Sequence, residues 1–103
     1  MEKLVKSGKV KSIGLSNATC PMIYDILAGA EIKPVYNQIE SHPYFSNHNL
    51  KKTHHVYGMW ICAYGSIGSS SWPLAPSSVP KPGSVLQDPV ITDIAKKHGR
   101  SAA

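Results

Sequence analysis

The chain has 103 residues, of which 42% are hydrophobic and 17% charged, and its formal net charge is +5 at pH 7. This length fits one domain or part of one, and the composition is typical of a globular protein. No apolar run reaches the roughly 18 residues that a membrane-spanning helix needs. The N-terminal segment MEKLVKSGKV also lacks the apolar core of a secretory signal. We therefore expect neither a membrane association nor secretion.

The positive charge is spread along the chain. Basic residues lie near the start, at Lys51-Lys52 and near the end, and no aromatic residues alternate with them. A nucleic-acid-binding surface combines clustered cations with stacking aromatic rings. Cations near helix C-termini, where they meet the negative end of the helix dipole, explain this pattern better. Nucleic acid is not an expected partner.

The cysteines and histidines do not follow a metal-ligand pattern. Cys20 and Cys62 stand in unrelated contexts, which predicts reduced thiols and a cytoplasmic protein. His54 and His55 are adjacent, so on a helix they point to different sides, and no cluster of carboxylates or cysteines accompanies them. We expect no metal site.

The first predicted elements are the last turns of a helix, a strand and the start of a second helix. Apolar residues at helical spacing over residues 1–5 indicate the helix. A strand is predicted near residues 10–15, and it ends in the polar pair Ser16 and Asn17. Thr19 is the predicted N-cap of the helix that follows.

The central stretch, residues 34–44, has the sequence PVYNQIESHPY. A short run that begins with a β-branched residue and lies between prolines predicts a buried strand near residues 35–39. Burial of Asn37 and Gln38 is costly unless their amides find partners. These two residues therefore indicate either a structural network or one wall of a polar ligand site. Glu40 is a lone carboxylate with no partner for acid–base catalysis.

The helix after this strand has a weakly amphipathic sequence. Ser46 or Asn47 is its predicted N-cap. Its apolar positions are sparse, and we expect Leu50, Val56 and Tyr57 to form its buried side.

The last part of the chain contains a strand, a long loop and a helix. The strand is predicted near residues 59–64 and ends at Tyr64. The Ser-, Pro- and Gly-rich loop over residues 65–87 is longer than most structureless loops, which indicates either a functional segment or a mobile linker. Asp88 is the predicted N-cap of a helix over residues 88–98.

The three predicted strands begin about 25 residues apart, a spacing typical of alternating parallel strands and helices. In such folds ligands bind outside the carboxyl ends of the strands. The residues at those ends are polar or aromatic: Ser16, Asn17, Gln38 and Tyr64. We expect these side chains to lie close together.

Three segments in this order, GKVKSIGLSN, PVYNQIESHPY and AYGSIGS, resemble the aldo-keto reductase motifs GLSNF, VNQIE-x-HPY and AYSPLGS. The tail LQDPVITDIAKKHGRSAA is similar to the helix that follows them in that family. The resemblance covers essentially the whole chain. It implies an α/β fold in which residues 1–103 form a partial domain, a fragment of a (β/α)8 TIM barrel with three βα units. A complete barrel needs about 250 residues.

The resemblance also implies a function. Aldo-keto reductases are NADP(H)-dependent oxidoreductases that reduce aldehydes or ketones to alcohols. By this likeness Ser16, Asn17 and Gln38 hold the carboxamide of the nicotinamide ring, and the ring of Tyr64 stacks against it. The cofactor-binding residues that the resemblance implies are Ser16, Asn17, Gln38, Tyr64, Ile67 and Ser69.

The chain departs from the family pattern at two places. Gly65 and Ser66 replace a Ser-Pro pair, which predicts a more flexible loop. Ala18 replaces a Phe, which removes packing volume near the proposed site. Both changes lie next to residues that the resemblance assigns to the cofactor.

The family's catalytic Asp, Tyr, Lys and His belong to earlier strands, so we assign no catalytic residue within these 103 positions. We expect the isolated chain neither to turn over carbonyl substrates nor to hold a rigid fold, and the full-length protein to be a cytoplasmic monomer. Two alternatives stay open. In the first, the chain is a non-catalytic α/β module that binds a dinucleotide. In the second, it is a protein-interaction fragment that pairs its strand edges with another protein.

Overall fold

The structure is a computed structural model that describes residues 1–68 and 85–103. Within these ranges, helices and parallel strands alternate along the chain. In chain order the elements are α1 (Glu2–Lys6), β1 (Leu15–Ser16), α2 (Cys20–Gly29), β2 (Tyr36–Glu40), α3 (His48–Val56), β3 (Trp60–Tyr64), a short 3-10 helix (Val85–Gln87) and α4 (Pro89–Lys97). The larger part of the predicted long loop, residues 69–84, lies outside the described residues.

The described strands form one parallel sheet in the order β1-β2-β3. Ser16 of β1 is in register with Gln38 of β2, and Gln38 is in register with Cys62 of β3. Helix α2 connects β1 to β2, and helix α3 connects β2 to β3. Since all three strands run in the same direction, their carboxyl ends lie at one edge of the sheet.

Strand β1 is shorter than the strand predicted near residues 10–15. Its pairing with β2 nevertheless extends backward, because the backbone N–H of Val35 donates to the carbonyl of Ile13 at 2.9 Å. Gly14 lies between Ile13 and strand β1. A Cβ atom at this position would be 2.5 Å from Tyr36 Cε1, so a side chain there would meet the tyrosine ring. The absence of a side chain at this position lets the tyrosine ring lie directly on the backbone of the first strand.

The helices cover one face of the sheet. Along β2 the buried residues alternate with exposed ones: Asn37 and Ile39 are buried, whereas the side chain of Tyr36 is 40% exposed. The core on the covered side contains Ala18, Ile23 and Met59, with Leu15, Leu27 and Leu50 packed around them. On the opposite face Trp60 is 78% exposed.

The buried side of α3 differs from the predicted one. Thr53 and His54 are buried, whereas Val56 is 75% and Tyr57 48% exposed, so the expectation that these two residues face the core is wrong. Leu50 does pack against the core. Each of the two polar residues bonds within the helix: Thr53 Oγ1 donates to the carbonyl of Asn49 at 3.3 Å, and His54 Nδ1 lies 2.6 Å from the carbonyl of Leu50. The other ring nitrogen of His54, Nε2, is buried without a partner among the described residues. Hydrophobicity along the sequence therefore does not predict which side of α3 is buried.

Helix α4 begins at a side-chain cap. Asp88 Oδ1 accepts hydrogen bonds from the backbone N–H groups of Val90 at 2.9 Å and Ile91 at 3.2 Å. These bonds satisfy two donors that a helix start leaves without intrahelical partners. Over the described ranges, no helix has the length and apolar character needed to cross a membrane.

Candidate functional site

The predicted site residues of β1 and β2 meet at the carboxyl edge of the sheet. The backbone carbonyl of Gln38 accepts hydrogen bonds from the backbone N–H of Asn17 at 2.9 Å and from Ser16 Oγ at 3.2 Å. Asn17 adopts a left-handed backbone conformation with φ 54°, which Asn tolerates better than most residues. The chain therefore turns sharply after Ser16, and both side chains stay next to Gln38.

The side chain of Asn37 holds this turn in place by hydrogen bonds to the backbone of Ala18. Its Nδ2 donates to the carbonyl of Ala18 at 2.9 Å, and its Oδ1 accepts from the N–H of Ala18 at 3.3 Å. The side chain is fully buried, so these bonds are made away from water. Of the two interpretations drawn from the sequence, the structural network describes Asn37, and Gln38 alone of the pair remains a candidate for ligand contact.

Tyr64 joins the group from the third strand. Its hydroxyl donates to Asn17 Oδ1 at 2.8 Å, across 47 residues of sequence. The backbone carbonyl of Tyr64 also accepts from the N–H of Ser41 at 3.2 Å, which holds the end of β3 against the chain that follows β2. The expected proximity of Ser16, Asn17, Gln38 and Tyr64 is thus present.

The amide of Gln38 contacts the neighbouring strand. Its Nε2 lies 3.6 Å from the sulfur of Cys62 in a weak hydrogen bond. Cys62 is exposed on the same face of the sheet. This contact leaves Gln38 Oε1 as the accepting end of the amide.

The remaining two predicted residues follow β3. Ile67 is exposed and lies in a turn closed by the N–H of Gly68, which donates to the carbonyl of Gly65 at 2.8 Å. Both glycines have positive φ, which suits a residue without a side chain. Ser69 lies outside the described residues.

Glu40 is not isolated, contrary to expectation. Its Oε1 lies 2.9 Å from His42 Nε2, and its backbone carbonyl accepts from Asn47 Nδ2 at 2.6 Å. The spacing of two residues explains the pair, because in extended chain residues i and i+2 point to the same side. That spacing was the signal available in the sequence.

A cavity of about 190 Å³ adjoins the site. It lies between the turn after β1, the ends of β2 and β3 and the start of α3. Its walls are mainly apolar, and Asn17 and Tyr64 also border it: the apolar lining residues are Ala18, Ile39, Phe45 and Leu50. The small side chain at position 18 leaves this space open.

A hydrogen bond links the segment after β2 to α4. The hydroxyl of Tyr44 donates to Asp88 Oδ2 at 2.6 Å. This bond, followed by the N–H groups of the helix start, holds the pKa of Asp88 below its ordinary value. The same contact with Asp88 raises the pKa of Tyr44. Sequence reasoning missed this pair, since no local pattern connects positions 44 residues apart.

Metal-ligating side chains do not gather in the parts of the chain that the structure describes: no group of three or more His, Cys, Asp or Glu residues is arranged to hold an ion there. The site is built from neutral groups instead. It offers two hydroxyls, two amides and an aromatic ring at Ser16, Asn17, Gln38 and Tyr64. Such a set recognises a polar, planar and uncharged group better than a metal or a phosphate.

Comparisons with known proteins agree with this architecture. The family model described as "Aldo/keto reductase family" matches residues 1–103. The NAD(P)H-dependent D-xylose reductase I,II of Candida tropicalis is 41% identical over all of this chain and 32% of its own length. Aldo-keto reductase family 1 member A1 of Mus musculus is 38% identical over all of this chain and 31% of its own length.

A solved structure shows the same fold. The apo form of Gox0644 superposes with a TM-score of 0.80 at 33% identity, over 98% of this chain and 32% of that one. The chain therefore spans about a third of the length of the relatives it matches. The predicted fold class, an α/β part of a (β/α)8 barrel with three βα units, is confirmed. This chain belongs to the aldo/keto reductase family.

Proposed function

We propose that this chain supplies the nicotinamide-binding wall of an NADP(H)-dependent oxidoreductase that reduces aldehydes or ketones to alcohols. The observation that carries the proposal is the single hydrogen-bonded group at the carboxyl edge of the sheet. In that group the Gln38 carbonyl accepts from Ser16 and Asn17, and Tyr64 donates to Asn17. The relatives' names, which include NAD(P)H-dependent and NADP-dependent enzymes, support the cofactor.

The residues fit a nicotinamide ring chemically. Its carboxamide is a planar group with one acceptor and one donor, which the amides of Asn17 and Gln38 and the hydroxyl of Ser16 can bind. The ring of Tyr64 offers a stacking surface, an interaction worth about 1 kcal/mol. This chain thereby binds and orients the ring. When bound, the reduced nicotinamide supplies the hydride that reduces a carbonyl carbon.

We assign no catalytic residue to this chain. Reduction of a carbonyl also requires a group that donates a proton to the oxygen, and the site described above contains no acid placed for that task. We propose that this group belongs to residues beyond the 103, in a polypeptide that acts as a cytoplasmic monomer on a small aldehyde or ketone. The chain's share of its relatives' length, about a third, supports this division of roles.

The first test is the intact mass of the protein captured from its source cells. A mass about three times 11.2 kDa supports a complete reductase. That protein is then titrated with NADPH, alone and with Gln38→Leu. We expect the variant to bind NADPH at least tenfold more weakly, because the carboxamide of the nicotinamide loses a hydrogen-bond partner. The control is Gln87→Leu, the same change at an exposed position away from the site. Equal affinity of the unchanged protein and Gln38→Leu would contradict the proposal.

One observation favours a second candidate, a protein-interaction module. The uncovered face of the sheet exposes Tyr36 and Trp60, and contiguous exposed apolar surface often marks an interaction site. This candidate predicts a mass near 11.2 kDa in the source cells, no NADPH binding and association that depends on protein concentration.

A further inference from the structure

We propose that the cavity next to Ala18 is a binding site for one small neutral aromatic ring, of the size of benzene or toluene. The cavity is the space of about 190 Å³ between the turn after β1, the ends of β2 and β3 and the start of α3. The inference goes beyond the proposed function, since this ligand is neither the dinucleotide nor the carbonyl substrate.

The buried residues that line the cavity are apolar. Ala18 and Ile39 are both buried, and Leu50 packs against the same core as Ala18. A buried water molecule needs about two to four polar partners, which these side chains do not offer. An apolar cavity of about 150 Å³ in another protein stays dry and binds benzene. The volume and the lining therefore favour an apolar ring over water.

The residue at position 18 indicates which ring fits. The family motif GLSNF has a phenylalanine where this chain has Ala18. The group that this position lacks is therefore a benzyl group, and toluene has the same carbon skeleton. A free ring of this size can supply the packing contacts that a methyl side chain cannot make.

The polar side chains that border the cavity are bonded to other groups of the protein. Glu40 Oε1 lies 2.9 Å from His42 Nε2, and Asn47 Nδ2 donates to the backbone carbonyl of Glu40 at 2.6 Å. Asn17 Oδ1 lies 2.8 Å from the hydroxyl of Tyr64. These bonds form without a ligand, and the carboxylate of Glu40 disfavours an anion nearby. The ligand that matches this cavity is therefore neutral and apolar.

Phe45 also borders the cavity, but other contacts hold it. Its side chain is half-exposed. Its backbone N–H donates to the carbonyl of His42 at 2.9 Å, and its carbonyl accepts from the N–H of His42 at 3.3 Å. The two rings also pack together, with their centroids 6.3 Å apart. The aromatic ring of Phe45 is thus engaged outside the space that we assign to the ligand.

The test measures the binding of toluene and benzene by isothermal titration calorimetry, on the protein at the length found in its source cells. The unchanged protein should bind one molecule of toluene. Ala18→Phe places a benzyl group in the same space and should bind toluene roughly tenfold more weakly or worse, because two rings cannot share a close-packed site. Ala28→Phe, the same change at an exposed position of α2, should bind toluene as the unchanged protein does.

A second variant enlarges the cavity instead of filling it. Ile39→Val removes one methyl group from the lining and is among the mildest core substitutions. The ratio of toluene affinity to benzene affinity should rise by up to about fourfold, the effect of one buried methylene. A general loss of structure would lower both affinities and leave their ratio unchanged.

Three outcomes would overturn the inference. The first is no toluene binding by the unchanged protein or by any variant. The second is binding that Ala18→Phe and Ile39→Val both leave unchanged, since the ring would then lie elsewhere on the protein. The third is binding by Phe45→Ala but not by the unchanged protein, which would show that the chain's own ring fills the cavity. None of these measurements includes a dinucleotide, so each outcome leaves the proposed function in place.

Discussion

Tyr44 and Asp88 are joined by a hydrogen bond of 2.6 Å between positions 44 residues apart. Asp88 uses one carboxylate oxygen to cap α4 and the other to accept from Tyr44. The start of α4 is thereby tied to the segment that follows β2. Among the described elements α4 otherwise packs mainly on the short 3-10 helix before it.

The Tyr44–Asp88 bond should make stability depend on pH at both extremes. The folded state lowers the pKa of Asp88, so the stabilisation is present above the unfolded value near 4 and is lost as the pH falls through the lower folded value. The folded state raises the pKa of Tyr44, so the stabilisation is present below about 10 and is lost as the pH rises through the higher folded value.

Urea denaturation from pH 2 to 11 measures this effect on the protein at the length found in its source cells, unchanged and as Tyr44→Phe; the stability predictions below use the same protein. The difference in unfolding free energy should be constant between about pH 5 and 9 and should shrink outside that window. Tyr24→Phe, at another exposed tyrosine, should track the unchanged protein throughout. A difference that does not vary with pH would show that the bond does not couple to ionisation.

Asn37→Ala should destabilise the protein by about 2–4 kcal/mol. The substitution leaves both the N–H and the carbonyl of Ala18 without their partner in a buried place, and each unsatisfied group costs about 1–3 kcal/mol. Chemical denaturation measures the loss. Asn49→Ala, at an exposed position of α3, should change stability by less than about 0.5 kcal/mol. Similar losses of stability in the two variants would show that the hydrogen bonds between Asn37 and Ala18 do not stabilise the protein.

Ala18→Phe should stabilise the protein by about 1 kcal/mol, because an aromatic ring at this position can fill the adjoining cavity. Thermal unfolding followed by circular dichroism should show a higher midpoint. Ala28→Phe introduces the same ring at an exposed position of α2 and should give no such gain. A lower midpoint for Ala18→Phe would mean that the ring cannot reach the cavity from position 18.

Gly68→Ala should destabilise the protein more than Gly65→Ala does, by about 1 kcal/mol or more. Both glycines have positive φ, so both substitutions carry a similar backbone cost. Of these two glycines, only Gly68 would bring a Cβ atom close to another residue that the structure describes, 2.8 Å from Cγ2 of the buried Val85. Overpacking of this kind costs about 1–3 kcal/mol. Comparison of the two unfolding free energies isolates the contact. Equal losses would show that Val85 moves aside freely.

The parts of the site that depend on strand order were accessible from the sequence. Regularly spaced parallel strands bring their carboxyl ends to one edge, which predicts that Ser16, Gln38 and Tyr64 lie there. The structure has them at that edge. Their roles toward a cofactor stay predictions. Asn37 and Gln38 show what the sequence does not predict. It indicates that both amides need partners, but only the structure shows that the amide of Asn37 bonds to the backbone of Ala18.

The contacts that sequence reasoning missed depend on side-chain direction or on distant pairing. His54 faces the core with its Nδ1 bonded to the carbonyl of Leu50 one helical turn earlier and its Nε2 buried without a partner among the described residues. Hydrophobicity predicts neither the burial nor the bond. Glu40 and His42 could have been paired from their spacing. Tyr44 and Asp88 could not, since their meeting depends on where α4 begins relative to the sheet.

Trp60, on the uncovered face of the sheet, can report by its fluorescence whether that face is covered. The indole of Trp60 is 78% exposed on that face and lies in register with Tyr36. Any polypeptide that comes to rest there, whether the same chain or another, will transfer this indole from water to an apolar contact. In a Trp72→Phe background the emission maximum of Trp60 will then shift to shorter wavelength, so a spectrum alone will show whether the face is covered.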